Sequence, residues 1–398
     1  MINEITVGAK AADILGRDEK AIQSAILLAK NRKISRVRVL KGIYMCKNSI
    51  ALKSGIELVG EGNLTVIRRV PPEQSIVMTS VNHYERVICV KHPDLFPVEC
   101  GITIKGIRRL SKESVSTRAT VVAKNGHQLL LDKPYLGENF WLEEGEVTVN
   151  TLVPLIYGEN LHDVSIGNLQ IDGNIPFRAM EYGGGDGICL KNCQQVIARH
   201  IYSHNNNGDG IGFEISNGVT VENCIVENNA MSIHAGSGSF RMHVRNNTIK
   251  DNKYGFYFCW GIQQGILEDN EIRGNATYGI SVGFHDSHNI IRRNRIMANR
   301  EVGIIFREAH HPSQAPRGDT VENNLIENNG PKDDALGIKI TFKADDIKLI
   351  GNKIVDTRKG RKSAGILIEK TVQRVSIEKN EIKGFKKDVV DYRSKKVV

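Results

Sequence analysis

The sequence predicts an all-β solenoid, because one strand pattern and two polar columns repeat together from residue 164 onward. The strand pattern begins with Gly-Ile or a close variant and recurs every 22 to 34 residues. Its starts are Gly187, Gly210, Ser232, Gly255, Gly279, Gly303, Gly337 and Gly365. A repeat of this length leaves no room for helices, so each repeat is expected to form one coil that stacks on the next.

The two polar columns consist mainly of Asn. The first column contains Asn168, His200, Cys224, Asn247, Asn270, Asn294, Asn324, Asn352 and Asn380. The second contains Asn205, Asn229, Asn252, Asn275, Asn299 and Asn329. We interpret both as ladders whose buried amides hydrogen-bond the backbone of the turns, and not as a binding site.

The N-terminal region predicts a cap for this stack. Residues 18–31 have a helical period with Asp18 as the expected N-cap, and their apolar positions share one face. The face consists of Ala21, Ile22, Ala25, Ile26 and Ala29. A helix before the first coil would cover the apolar end of the stack. Residues 1–80 are therefore assigned to the cap and the first coils.

The repeat is interrupted before it becomes regular. Residues 81–151 lack it, and Asn125-Gly126 between two apolar runs predicts a β-hairpin, so this stretch is interpreted as an inserted β subdomain. Regular coils are expected over 152–384. Residues 385–398 are rich in Lys and are expected to form a basic C-terminal tail.

Composition narrows the function classes. The formal charge of +9 suggests an acidic partner. No nucleic-acid-binding motif occurs in the sequence. No apolar run is long enough to span a membrane. The start of the chain has no signal-peptide pattern, which predicts a cytoplasmic protein or a secreted one whose leader has been removed. The seven Cys show no zinc spacing and are expected to be free thiols. We predict no metal and no cofactor; the sequence does not indicate an oligomeric state.

The N-terminal helix, the strands around VRVLKGIY and IELVGEG, and the coils together resemble the pectate-lyase-like right-handed parallel β-helix superfamily. The resemblance covers nearly the whole chain and implies a right-handed parallel β-helix with an N-terminal capping helix. Lyases, hydrolases, epimerases and tailspikes share this architecture, so the resemblance leaves the activity open.

Alternation in the Gly-Ile strands predicts which side chains face outward, and two outward columns result. The first column is Cys189, Gly212, His234, Tyr257, Ser281, Ile305, Lys339 and Leu367. The second is Lys191, Glu214, Gly236, Cys259, Gly283, Arg307, Thr341 and Glu369. The central coils combine small residues with imidazoles, carboxylates and aromatic side chains, which is typical of a sugar-binding groove. The expected substrate-binding residues are Lys191, Glu214, Tyr257, Trp260, Glu308 and Lys339.

The stretch Tyr278-Gly-Ile followed by His285-Asp286, with Arg307 one coil later, is similar to the motif of alginate C5-epimerases, although Gly283-Phe284 replaces its Asp-Pro half. The similarity implies a His and an Asp at the motif and an Arg that neutralises the substrate carboxylate. Abstraction of a C5 proton from a uronate needs a base such as His and a fixed guanidinium. We therefore predict a polysaccharide lyase or C5-epimerase that acts on an acidic poly- or oligosaccharide.

The roles in that reaction are assigned as follows. His285 is the predicted base, Arg307 the carboxylate clamp and Asp286 the residue that orients an imidazole. His234 or Tyr257 is the predicted second acid or base.

A second resemblance keeps another reaction open. Gly185-Asp186-Gly187 and Gly208-Asp209-Gly210 on successive coils, followed by His234, resemble the motifs of polygalacturonase-type glycoside hydrolases. That resemblance implies an inverting hydrolase built on Asp209 with Asp186, Glu214 or Glu308. The remaining alternative is a non-catalytic carbohydrate-binding solenoid.

Overall fold

The computed structural model describes residues 4–111, 114–135, 139–175, 184–309, 311–331, 334–358 and 364–393. One helix and a few strands come first: β1 (Glu4–Gly8), β2 (Ile14–Leu15), α1 (Glu19–Asn31), β3 (Arg36–Val39), β4 (Gly42–Cys46), β5 (Ile50–Ala51), β6 (Glu57–Val59) and β7 (Thr65–Arg69). The next strands are β8 (Gln74–Ile76), β9 (Val87–Cys89), β10 (Gly101–Arg108), β11 (Ser114–Asn125), β12 (Gln128–Leu131) and β13 (Gly145–Asn150).

Short strands then continue to the end of the described chain. They are β14 (Ile156–Glu159), β15 (His162–Asp172), β16 (Ile188–Lys191), β17 (Gln194–His204), β18 (Asp209–Glu214), β19 (Asn217–Glu222), β20 (Ile225–Glu227), β21 (Met231–Gly236), β22 (His243–Arg245), β23 (Thr248–Lys250), β24 (Phe256–Cys259), β25 (Ile266–Glu268), β26 (Glu271–Arg273) and β27 (Tyr278–Val282). They end with β28 (Ile290–Arg292), β29 (Arg295–Met297), β30 (Val302–Phe306), β31 (Thr320–Glu322), β32 (Leu325–Glu327), β33 (Leu336–Ile340), β34 (Ile347–Ile350), β35 (Lys353–Val355), β36 (Ala364–Ile368), β37 (Val375–Glu378), β38 (Glu381–Lys383) and β39 (Lys387–Asp391).

The coils stack as parallel sheets. Within the described ranges, an 11-stranded sheet has the order β5, β14, β16, β18, β21, β24, β27, β30, β33, β36, β39, and we call it the groove sheet. A 22-stranded sheet forms the other walls of the stack, and β15 and β17 bend around the corner between its two faces. Each strand pairs with the strand one coil away, as the repeat predicts. The all-β solenoid is confirmed.

The core lies between these walls. Apolar residues of successive groove-sheet strands stack on one another there, each almost fully buried: Ile188, Ile211, Ile233, Phe256, Ile280, Ile304, Ile338 and Ile366. Helix α1 covers the N-terminal end with the predicted face, and Asp18 accepts a hydrogen bond from the Ala21 amide. The helical cap is therefore confirmed.

The irregular stretch forms a separate antiparallel sheet of β8–β13 with its own apolar core. The sheet starts at Gln74, earlier than the predicted boundary at 81, and ends at Asn150. Its β11–β12 hairpin turns at Gly126, whose φ of 55° suits a tight turn. At the other end, the segment predicted as a tail contributes β39, which pairs with β36. Residues 394–398 lie outside the described residues.

The Asn columns form ladders, as predicted. Asn270 illustrates the pattern: its Nδ2 donates to the Val244 carbonyl at 3.0 Å and to Asn294 Oδ1 at 2.9 Å, while its Oδ1 accepts from the Asn247 amide at 2.9 Å. The register corrects three members. Leu169 and Ile201, not Asn168 and His200, align with the first column, and Asn206, not Asn205, begins the second. The residues named at first lie one position earlier in tight bends with positive φ.

A buried carboxyl occupies a similar ladder position at Asp319. Its Oδ1 accepts from the Asn289 amide at 2.9 Å and from Asn289 Nδ2 at 3.0 Å, but Oδ2 is buried and has no hydrogen-bond partner within the described residues. Burial raises the pKa of Asp319 well above its usual value. The folded protein therefore binds the Asp319 proton more tightly than the unfolded chain does.

We expect Asp319→Asn to stabilise the protein by about 1–3 kcal/mol at neutral pH. The stabilisation should be small near pH 4, since the carboxyl of the folded wild type is protonated there, and should grow as the pH rises towards the raised pKa. Urea unfolding of both proteins across this range measures the difference, with Asp251→Asn on the exposed surface as control. An unchanged or lowered stability at neutral pH would contradict the expectation.

No helix in the described residues is long and apolar enough to cross a membrane.

Candidate functional site

Both predicted outward columns are present on the groove sheet. The strand register aligns Cys189, Gly212, His234, Tyr257 and Ser281, so these residues stand side by side on successive coils. The second column follows two residues later along each strand. Adjacent coils are about 4.8 Å apart, so side chains from two or three coils can contact one ligand.

A cleft of about 570 Å³ opens over the N-terminal half of these columns. Its lining residues include Arg118, Tyr157, Asp186, Cys189, Lys191, Asp209, Gly212, Glu214 and His234. We call this space the cleft. Of the predicted site residues, it brings together Lys191, Asp209, Glu214 and His234. Gly212 leaves space in the cleft for the Asp209 carboxyl, because a Cβ atom at this position would lie 2.3 Å from Asp209 Oδ2.

Asp209 and His234 form an ion pair at the centre of the cleft. His234 Nδ1 donates to Asp209 Oδ2 at 2.8 Å, and both side chains are mostly buried. Burial alone would lower the pKa of His234, but the charge and hydrogen bond of Asp209 outweigh it and raise the pKa well above its usual value. Nε2 of His234 is buried near the Cys259 thiol, which does not accept a hydrogen bond of normal geometry from it. Asp209 therefore favours the protonated form of this imidazole.

We expect Asp209→Asn to lower the pKa of His234 to below its usual value of about 6.5, because burial would then act without the compensating charge. The imidazole would change from mostly protonated to mostly neutral at pH 7. Titration of the ring nitrogens by NMR measures both pKa values, with Glu214→Gln as a control elsewhere in the cleft. An unchanged His234 pKa would show that Asp209 does not hold the proton.

Asp186 lies one coil before Asp209 at the equivalent position. Its Oδ1 accepts from the Asp209 amide at 3.0 Å, and its Oδ2 lies 3.3 Å from Nη2 of Arg118. Burial, followed by the negative charge of Asp209, raises the pKa of Asp186, although Arg118 opposes the shift. One wall of the cleft therefore holds the buried carboxyl of Asp186, whose pKa is raised, beside the carboxyl of Asp209, which is hydrogen-bonded to His234.

Beyond His234, the outward surface is aromatic and cationic. The Tyr257 ring meets the His234 ring edge-on at 5.7 Å between centroids. The Arg307 guanidinium lies 4.1 Å above the Tyr257 ring, and its Nη2 donates to the Phe258 carbonyl at 3.0 Å. Arg307 extends back across Gly283, where any Cβ atom would collide with it. Arg307 is thus held flat on the sheet, next to the cleft.

Within the predicted group of His285, Asp286 and Arg307, the Arg307 guanidinium lies against Gly283 and close enough to Asp286 to favour its charged form. His285 is exposed in a bend after β27, two coils beyond His234, with a φ of 61°. Asp286 is fully buried, and its carboxylate accepts from the Gly283 amide at 2.6 Å and the Ile262 amide at 2.9 Å. Burial raises the pKa of Asp286 to about 7. Its predicted role as an orienter of an imidazole is corrected: Asp286 stabilises the turn.

The remaining predicted binding residues lie outside the cleft. Trp260 is 48% exposed on the turn after β24 and packs against Phe284 at 5.3 Å between ring centroids. Glu308 is exposed just after β30. Lys339 lies four coils from His234 in its column and is 3.2 Å from Glu369. In the described part of the chain, no cluster of three His, Cys, Asp or Glu could hold a metal ion.

Arg118 was not among the predicted site residues. It belongs to β11 of the antiparallel sheet, reaches Asp186, and lies 3.7 Å from the Cys189 sulfur. Nothing in the repeat could have indicated it, because Arg118 and Asp186 meet through a long-range contact between two separate sheets. The only relevant signal was the insertion itself, since an irregular segment in a solenoid often covers part of its surface.

A family model described as a right-handed β-helix region matches residues 154–313 of this chain. The fold is a right-handed parallel β-helix. No protein in the curated collection matches the sequence significantly. Among solved structures, the chain is similar to the A-module of the mannuronan C-5 epimerase AlgE4 of Azotobacter vinelandii, with a TM-score of 0.59 and 14% identity over 94% of each chain.

Two further solved structures are similar to this chain. The surface protein and adhesin PfbA of Streptococcus pneumoniae aligns with a TM-score of 0.58 and 13% identity, covering 93% of this chain and 95% of PfbA. The Dettilon tailspike protein gp208 aligns with a TM-score of 0.54 and 12% identity, over 88% of this chain and 57% of the tailspike. At such low identities the likeness concerns the fold, and the function has to be argued from the cleft.

Proposed function

We propose that this protein hydrolyses a glycosidic bond in an acidic poly- or oligosaccharide bound in the cleft. The observation that carries the proposal is the pair of Asp186 and Asp209 on adjacent coils: Asp186 is buried and has a raised pKa, whereas Asp209 is hydrogen-bonded to His234. Glycoside hydrolysis needs one protonated carboxyl and one carboxylate. Arg118 and Lys191 supply positive charge for an acidic sugar, in keeping with the net charge of +9.

In the proposed reaction, the Asp186 carboxyl protonates the glycosidic oxygen as its bond to the anomeric carbon breaks. A water molecule attacks that carbon and gives its proton to the Asp209 carboxylate. His234 occupies Oδ2 of Asp209, so Oδ1 is the oxygen that accepts this proton. The carboxyl of Asp209 extends over Gly212 towards His234. An inverting reaction would need the two carboxyls to lie about 6.5–9.5 Å apart, with a water between them.

Glu214 and Glu308 are less suitable than Asp186 as the carboxyl that works together with Asp209. Glu214 is five residues from Asp209 along the same strand, which separates their Cα atoms by roughly 16 Å. Glu308 follows β30, four coils from Asp209. Asp186 is therefore the partner that we assign to Asp209.

A second candidate is C5 proton abstraction from a uronate, as a lyase or epimerase, and the stacking of Arg307 on Tyr257 beside His234 favours it. Arg307 would neutralise the sugar carboxylate while Tyr257 moves the proton. His285 does not enter this version. The raised pKa of His234 suits it to donate a proton better than to accept one. The similar fold of a mannuronan C-5 epimerase is compatible with this chemistry without favouring it.

One assay distinguishes the candidates. The protein is incubated with several linear uronate polymers, while reducing ends and the ultraviolet absorbance of unsaturated uronates are followed. New reducing ends without the absorbance support hydrolysis; the absorbance supports elimination; a changed sugar configuration without either supports epimerisation. Binding without any reaction would support a non-catalytic carbohydrate-binding solenoid and overturn the proposed hydrolysis.

A further inference from the structure

We propose that the cleft binds the end of an acidic saccharide chain, and not an internal stretch, so that units are released from one terminus. This inference rests on the proposed function for its catalytic part, but its binding part can be tested separately. It follows from an asymmetry of the groove sheet: a wall stands at the N-terminal side of the cleft, while the surface on the other side continues across further coils.

The wall is strand β11 of the antiparallel sheet. Thr120 Oγ1 accepts a hydrogen bond from Asn48 Nδ2 at 3.1 Å, which fixes the strand above the first coils. Arg118 lies on the same strand and contacts Asp186 and Cys189. Arg118 and Tyr157 stand between the cleft and a second cavity of about 290 Å³ and line both; the second cavity continues over Ala51 of the first coils. A saccharide in the cleft therefore meets Arg118 when it extends towards the N-terminal coils.

On the opposite side the surface carries three tyrosines. Tyr254 and Tyr257 are 5.8 Å apart between ring centroids, and Tyr254 and Tyr278 are 6.1 Å apart. All three rings are half-buried and face outward from two successive coils beyond His234. Aromatic faces with a few fixed polar groups are typical of small-molecule binding surfaces. Arg307 adds a positive charge above Tyr257.

These two sides define a direction for the substrate. The terminal acidic sugar would lie against Arg118, whose planar fork keeps further N–H groups for a carboxylate. Asp186 and Asp209 would then act on the bond next to that terminal unit. The rest of the chain would leave over the tyrosines, towards the C-terminal coils.

Binding is tested with thio-linked oligouronates of two to six units, whose sulfur-bridged linkages resist cleavage. Each is prepared unblocked and with a bulky group on one terminus or the other, and titrated calorimetrically against the wild-type protein. End-on binding predicts that blocking one particular terminus weakens binding by about tenfold or more, while blocking the other has little effect on the longest oligomer. Equal binding of all three forms would overturn the inference.

Two variants and a control extend the test. Arg118→Ala should weaken binding of every length, whereas Tyr278→Ala should weaken only oligomers long enough to cross two coils. Arg245→Ala, which removes a guanidinium paired with Glu222 on another wall of the solenoid, should leave binding unchanged. If Tyr278→Ala weakens the dimer as much as the hexamer, the proposed direction is wrong.

The products on natural polymers complete the test. Release from one end raises the number of reducing ends while the viscosity of the polymer solution stays nearly constant, and only short products accumulate. A rapid fall in viscosity would overturn the end-on mode but leave hydrolysis intact. End-on binding of the thio-linked oligomers without any cleavage of natural ones would contradict hydrolysis and leave the binding mode standing.

Discussion

Replacing Asp186 by Asn is expected to lower the rate of glycoside hydrolysis by about 10²–10⁴-fold, because the general acid is lost. An amide has nearly the shape of a carboxyl, and its Oδ1 can still accept the hydrogen bond from the Asp209 amide. The cleft should therefore keep its structure while losing the proton that the leaving sugar needs. Initial rates on a uronate polymer measure the effect, and circular dichroism confirms folding.

Substrates with a good leaving group sharpen this test. Aryl glycosides of the same sugar depart without protonation, so their cleavage should suffer much less from Asp186→Asn than polymer cleavage does. Asp209→Asn should impair both substrates, since it removes the base. His285→Ala is the control, because this exposed imidazole lies outside the cleft. Full activity of Asp186→Asn on the polymer, or loss of activity in His285→Ala, would contradict the assignment.

The pH profile should reflect the general acid Asp186. Activity requires protonated Asp186, and burial raises its pKa, so the alkaline limb of the profile should report the loss of this proton.

Replacing Asn270 by Ala is expected to lower the free energy of unfolding by roughly 3–5 kcal/mol. The Asn270 amide group donates to Val244, Glu268 and Asn294 and accepts from Asn247, all inside the solenoid. An Ala side chain would leave buried backbone groups of neighbouring coils unpaired, and each unpaired group costs about 1–3 kcal/mol.

The control for this change is Asn246→Gly. Asn246 is exposed and has a φ of 56°, which Gly adopts without strain, so this variant should change stability little. Urea unfolding followed by circular dichroism measures both variants. Equal, small effects would show that the ladder amides contribute no more than surface Asn residues do.

The coil positions could be predicted from the sequence because they depend on local periodicity. The Gly-Ile starts fixed the alternation of each strand, so His234 and Tyr257 were correctly placed side by side. At Asn205 the ladder error arose because consecutive Asn residues do not reveal which one turns inward. At Asn168 and His200 the inward position belongs to the apolar Leu169 and Ile201 that follow them. That choice depends on the backbone, which adopts positive φ at the outward residue.

The cleft itself could be predicted only in part. Asp209, Glu214, Lys191 and His234 come from adjacent coils, so the repeat brought them together. Arg118 comes from another sheet, and its approach to Asp186 depends on how two cores pack. His285 and Asp286 were misplaced as a functional pair because a His-Asp step in a tight bend sends one side chain out and the other in.

The ladders also bear on how the molecule ages. Amide side chains are chemically labile, and hydrolysis of a buried ladder Asn would place a carboxyl where a donor is needed. Asp319 already has a carboxyl at a ladder position, and burial raises the pKa of that carboxyl. We therefore expect hydrolysis of one ladder Asn to destabilise the protein little in mild acid, where the new carboxyl is protonated, and more as the pH rises. The lifetime of the folded protein would then depend on pH.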